Sequence, residues 1–263
     1  MENTMDRKEL EGYFRSYLQL DRNVVGVKLY QSKEEFCRLD IKQNKHKNYY
    51  CHMVNKASNG KMRKGDLSNF ACETSGKLLG LDAFYEEKEG IDGWYDSGLY
   101  ANRRNARIEH ESVVPVKGHN TGVVVGPLKN LPQDPDVVIL VCNPYQAMRV
   151  VQGYTYHYGF KSDIKMSGMC GVCFESTVVP VNNQEFSVSL LCSGTRFVCK
   201  WPDDVLMVSF PFGMAGRIID GIISTAQACE PNHKKTEIKH RLHHDHLKEK
   251  THLHHNEGYF YRK

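Results

Sequence analysis

The sequence predicts an α/β or α+β domain, a mixed sheet with flanking helices. Three observations lead there. Short β-branched runs alternate along the chain with amphipathic segments. One run, VVILVC at 137–142, is apolar throughout, as a strand covered on both faces should be. Asn143 and Pro144 follow it at once and supply a helix N-cap and a first-turn proline.

The elements follow in order. Leu10, Tyr13, Phe14, Tyr17 and Leu18 share one face of a helix over 4–19. VVGVKLY at 24–30 reads as a strand, and Ser32 with Glu35 forms a capping-box pattern that opens a short helix. Residues 40–50 and 56–66 read as polar loops, with helical signals at Cys51–Ala57 and Cys72–Leu81. The polar stretch 86–112 carries few strand or helix signals and reads as a surface insertion or active-site loop. The runs 113–116, 122–128, 177–181, 187–191 and 205–210 are β-rich. Helices are expected over 145 to about 156 and over 215–227, the latter with Ile218, Ile219, Ile222 and Ile223.

The chain has 263 residues, 35 Lys plus Arg against 31 Asp plus Glu, and 25 % charged residues. That composition excludes collagen-like, coiled-coil and disordered chains. No run approaches the roughly 20 apolar residues of a membrane helix. The N-terminus is charged where a signal peptide would carry its apolar core, which points to the cytoplasm and to no membrane partner. The net charge of +4 lies wholly within residues 233–263. A neutral body argues against a nucleic-acid surface, which shows a basic stripe. There is no glycine-rich dinucleotide or phosphate loop, no GxSxG elbow and no HExxH. Common nucleotide-dependent and hydrolase mechanisms therefore lack support.

The two halves rhyme. Each has a strand, a helix, a cysteine and then a Cys–small–Gly segment, FACETSGKLLG in one and LLCSGTRF in the other. Cys51 and Cys72 are 21 residues apart, and Cys170 and Cys192 are 22 apart. The simplest account is two pseudo-symmetric half-domains, 20–112 and 113–227, with a ligand between them and a His-rich basic tail over 228–263.

Taken in order, several segments carry a family resemblance. They are VVGVKLY, CHMVNKASNGK from Cys51, FACETSGKLLGL at 70–81, GVVVGPL at 122–128, DPDVVILVCNPYQAMRVVQGY at 134–154, SLLCSGTRF at 189–197 and DDVLMVSFPF at 203–212. Over roughly residues 20–225 the chain resembles the DUF169 family of uncharacterised prokaryotic proteins. The resemblance implies the same α/β domain and implies that Cys51, Cys72 and Cys192 are family positions. CGVC at 170–173 lies where such proteins commonly carry cysteine.

Nine cysteines are many for a reducing compartment, which disfavours structural disulfides. Cys51, Cys72, Cys170 and Cys192, with Cys173 as substitute for Cys170, are the ligand set of a [4Fe–4S] or [2Fe–2S] cluster or of an all-cysteine zinc site. Gly76, Gly168, Gly171 and Gly194 would let backbone N–H groups approach cluster sulfurs. Buried, unligated cysteine is the plainer reading. Cys37, Cys142, Cys199 and Cys229 read as structural.

Lys28, Asn143, Tyr145 and Arg196 are candidate ligand-binding residues beside expected strand ends. Their plainer readings are surface charges and a helix cap. In the tail, His240 and His244 pair at i, i+4, as do Asp245 and Glu249, while His252 and His255 pair at i, i+3. Such pairs can bind zinc or nickel, but a solvated helix is the commoner outcome.

Three functions follow. The first is an iron–sulfur protein acting on an anionic or sulfur-containing small ligand, or on a redox partner. The second is a zinc-stabilised binding or accessory protein. The third is a thiol enzyme using Cys170 or Cys173. A homo-oligomer stays open.

Overall fold

A computed structural model describes residues 5–43, 47–81, 87–247 and 253. Six strands form one sheet: β1 (Val25–Tyr30), β2 (Arg63–Gly65), β3 (Gly122–Pro127), β4 (Val137–Cys142), β5 (Ser187–Ser189) and β6 (Leu206–Pro211). Their order is β2-β3-β1-β4-β6-β5. Every ladder between them is antiparallel, where the sequence suggested a mixed sheet. Val27 sits opposite Val125 on one side and Val137 on the other, and Ile139 opposite Ser209.

Helices cover both faces, which explains why β4 is apolar at every position. Val137, Ile139 and Val141 point to one core, and Val138, Leu140 and Cys142 to the other. The second core is built by α1 (Arg7–Tyr17), α7 (Pro144–Tyr158), α10 (Ala215–Cys229) and α11 (Asn232–His244). The first core lies under α3 (Tyr50–Ser58), α4 (Glu73–Leu78), α5 (Glu87–Asp96), α6 (Arg103–Ser112), α9 (Ser193–Cys199) and a π-helix over Gly171–Val178. Two short helices complete the set: α2 (Lys33–Arg38), capped by Ser32, and α8 (Val179–Asn183).

Some expectations gave way. The stretch 86–112 holds α5 and α6, residues 82–86 lying outside the description. Its sparse apolar residues are enough because Trp94 and Ala106 reach the core and Asn102 caps α6. The run 177–181 is helical: the Thr177 hydroxyl bonds back to the Val172 carbonyl, and Pro180 lies in the first turn of α8. Residues 113–116 form no strand; the Val116 N–H donates to the Leu78 carbonyl. The 56–66 loop contains β2.

The half-repeat is not shown. β3, from the second half, lies between β1 and β2 of the first, so the sheet does not divide at residue 112. Within the His-rich tail, Ile238 and Leu242 of α11 are buried in the second core, as is Leu253. His240 and His244 lie on this helix, while Glu249, His252 and His255 fall outside the described residues.

One buried ion pair fastens the second face. Arg149 on α7 donates to Glu230 at 2.6 Å, with both side chains at most 2 % exposed. The same guanidinium donates to the Ile222 carbonyl at 2.9 Å and to Thr225 Oγ1 at 3.1 Å. Gly153 and Gly221 let α7 and α10 cross closely: a Cβ on Gly221 would stand 2.2 Å from the Gly153 carbonyl oxygen. Removing one member of a buried pair strands the other charge. Glu230→Ala should therefore lower stability by about 3–5 kcal/mol, read from the shift in the urea midpoint. A shift below about 1 kcal/mol, the range of exposed pairs, would contradict this placement.

Candidate functional site

Four helix starts converge above the first core. Cys51 lies in the first turn of α3, whose Tyr50, Met53, Val54 and Ala57 pack into the core. Cys72 is the N-cap of α4, and Ser75 Oγ donates to its carbonyl at 2.7 Å. Cys192 is the N-cap of α9; the Thr195 N–H donates to its Sγ at 3.3 Å. Its sulfur takes the place of the oxygen that usually caps a helix.

Cys170 is the N-cap of the π-helix, in the left-handed conformation at φ 53°. π-Helical turns occur mostly as short segments, often at functional sites. This one is pinned from several directions. Tyr50 Oη and Thr177 Oγ1 are hydrogen-bonded at 2.9 Å, and Ser187 Oγ donates to the Glu175 carbonyl at 2.7 Å. The buried Glu175 carboxylate accepts from Ser189 Oγ at 2.5 Å and from the N–H groups of Ser167 and Gly168 at 2.7 and 3.2 Å. Burial pushes its pKa up, against those three hydrogen bonds, which pull it down. Gly171 rests on the Leu191–Cys192 backbone: a Cβ there would stand 2.7 Å from Leu191 Cα and 2.9 Å from Cys192 N.

Together these elements enclose a cavity of about 520 Å³ lined by Cys51, Cys72, Cys170, Cys173 and Cys192. Trp94, Met169, Val172 and Val198 give it an apolar wall, and no Asp, Glu, Lys, Arg or His lines it among the described residues. Behind the wall, Cys199 Sγ lies 3.2 Å from Cys51 Sγ.

The sulfurs feel one another. The Cys173 thiol is pushed up by its hydrogen bond with Cys170, then by burial and by the nearby Cys72 and Cys192. Burial also raises Cys72, with Cys170 and Cys51 adding to it. The hydrogen bond with Cys199 raises Cys51 and lowers Cys199. Among the described residues, no three His, Cys, Asp or Glu side chains are grouped as the ligands of a metal ion.

All five cysteines named from the sequence line this one cavity. The four candidate ligand-binding residues do not, and their polar groups have other partners. Lys28 pairs with Asp136 at 2.9 Å. Asn143 closes a capping box with Gln146. Tyr145 donates to Glu230 at 2.7 Å. Arg196 donates to the carbonyls of Leu190, Pro202 and Val205.

Sequence reasoning placed Cys199 among the structural cysteines, yet it ends α9, seven residues on from the N-cap Cys192, and touches Cys51. That spacing, two turns of one helix face, was the available signal. Gly90, Gly93 and Trp94 were missed because their segment read as a loop. Cys142 is buried in the opposite core, and Cys37 is exposed.

An antiparallel sheet covered on both faces, with a cysteine-lined cavity on one of them, defines the class of protein. The chain belongs to the DUF169 family, described as uncharacterised ArCR, whose match spans residues 13–221. It is 23 % identical over 211 residues to the uncharacterized protein MJ0308 of Methanocaldococcus jannaschii, covering 78 % of this chain and 88 % of that one. No solved structure matches. The family match takes in all five lining cysteines and ends before α11.

Gly171→Ala should push the π-helix off the Cys192 segment and destabilise the fold by about 1–3 kcal/mol, the usual cost of overpacking. Gly213→Ala, whose Cβ would meet nothing within 4 Å, serves as the control. Equal urea midpoints for the two variants would contradict the close contact.

Proposed function

We propose that this protein binds a metal centre through cavity cysteines, and that the centre is an iron–sulfur cluster. The observation that supports this reading is the convergence of five cysteines, from four separate segments, on one cavity. Thiolates are soft ligands suited to iron–sulfur clusters and zinc. Ionising several thiols in a largely apolar enclosure is costly. A bound cation would remove that cost.

The shape of the site favours a cluster over one ion. Zinc–sulfur bonds are about 2.3 Å, so four thiolates around zinc leave no void between them. Here five cysteines line a space of about 520 Å³. A ring of donors around a void suits a multi-atom group. Cys51, Cys72 and Cys192 with Cys170 or Cys173 would hold it. When bound, such a cluster supplies electron transfer or, if three cysteines ligate, an open iron for a small anionic or sulfur-containing ligand. A reducing cytoplasm would suit nine unpaired thiols.

The test is the metal and acid-labile sulfide content of protein purified without oxygen and without a nickel column. The expected result is brown protein with about four iron and four sulfide per chain. Cys51→Ala and Cys192→Ala should each lose most of both, while Cys37→Ala keeps them. One zinc without sulfide would replace the cluster by a structural site. Absence of any metal would overturn the reading.

A further inference from the structure

Cys199 stands apart from the five lining cysteines: it is 6 % exposed and sits behind the wall. Its sulfur nevertheless lies 3.2 Å from that of Cys51, across 148 residues of chain. The two helices that carry them are tied beside this contact. Asn55, one turn along α3 from Cys51, donates through Nδ2 to the Cys199 carbonyl at 3.1 Å. A disulfide bond is about 2.05 Å long, so the sulfurs need to approach by roughly 1 Å, within the play of two side-chain torsions. Cys51 is open to the cavity and Cys199 is not. This is the arrangement of an attacking thiol backed by a resolving one.

We infer that Cys51 and Cys199 are a redox-active pair, oxidised by small neutral disulfides that enter the cavity, and that closing their disulfide withdraws Cys51 from the metal-binding set. The second half rests on the metal-binding reading above; the first half does not. A neutral oxidant fits because the described lining is apolar or uncharged, with Trp94, Met169, Val172 and Val198 beside Cys51.

The chemistry balances in two exchanges. Cys51, its proton released to water, attacks one sulfur of R–S–S–R; a Cys51–S–S–R bond forms and R–S⁻ leaves. Cys199, likewise deprotonated, attacks Cys51 Sγ, and the second R–S⁻ leaves. The two released protons protonate the two leaving thiolates. The cysteine pair is oxidised by two electrons, and the small disulfide is reduced to two thiols.

The experiment takes reduced, metal-free full-length chain, adds bis(2-hydroxyethyl) disulfide, blocks the remaining thiols and maps the peptides by mass spectrometry. The expected product is a Cys51–Cys199 cross-link that dithiothreitol reverses. Cys199→Ser should instead accumulate the mixed disulfide at Cys51. A dominant Cys170–Cys173 cross-link, or a lasting mixed disulfide at Cys51 in the unaltered chain, would overturn the assignment.

Oxidised and reduced samples are then offered ferrous iron and sulfide. Uptake by the reduced sample alone is expected. Equal uptake by both would overturn the withdrawal of Cys51. Uptake by neither would count against the metal-binding reading, the pair itself having been judged by the peptide map.

Discussion

The contact between Gly171 and the backbone of Leu191 and Cys192 decides the geometry on which the site depends. It brings the CGVC turn against the start of α9, so that three of the five lining cysteines come from two touching segments. A side chain at residue 171 would separate them. The π-helix beyond that glycine is not a regular element left to its own propensity. It is held by Glu175, Ser187, Ser189, Thr177 and Tyr50, whose hydrogen bonds reach the adjoining strand β5, helix α3 and the 167–168 loop. Keeping a carboxylate buried there is costly, and Glu175 accepts three hydrogen bonds that offset the cost. The result is a rigid platform for Cys170 and Cys173.

Around that platform the electrostatics are one-sided. Six sulfurs lie within reach of one another, and no charged side chain lines their cavity among the described residues. Reactive cysteines are typically activated by a lysine, arginine or histidine beside the sulfur. The raised Cys173 thiol lacks such a partner among the described residues of the cavity wall. This weighs against the thiol-enzyme reading built on Cys170 or Cys173 and in favour of thiols that await a cation. The opposite face of the sheet carries the charged network of Arg149, Glu230 and Tyr145, which serves packing.

Much of this was legible in the sequence. The strand at 137–142 declared burial on both faces, and the structure puts alternate residues into two cores. Asn143 and Pro144 marked the start of α7 correctly because capping is local chemistry. Cys51, Cys72, Cys170, Cys173 and Cys192 were singled out as soft donors, and all line one cavity. Tertiary packing hid the rest. Residues 177–181 have the composition of a strand, yet burial under β6 and a hydroxyl-to-backbone bond make them helical. The helices α5 and α6 have few apolar residues, and their support comes from contact with each other and with the core through Trp94 and Ala106. Matching cysteine separations suggested a duplication, but spacing along a chain does not fix strand order, and β3 lies inside the first half.

The central claim is that sulfur from the cavity, rather than histidine from α11, holds the metal. X-ray absorption at the metal edge of anaerobically purified protein tests it most directly. A first shell of sulfur alone, at about 2.3 Å, with iron scatterers beyond it, is the predicted result. A first shell of nitrogen and oxygen at about 2.0–2.2 Å would contradict it and move the metal to histidine and carboxylate side chains.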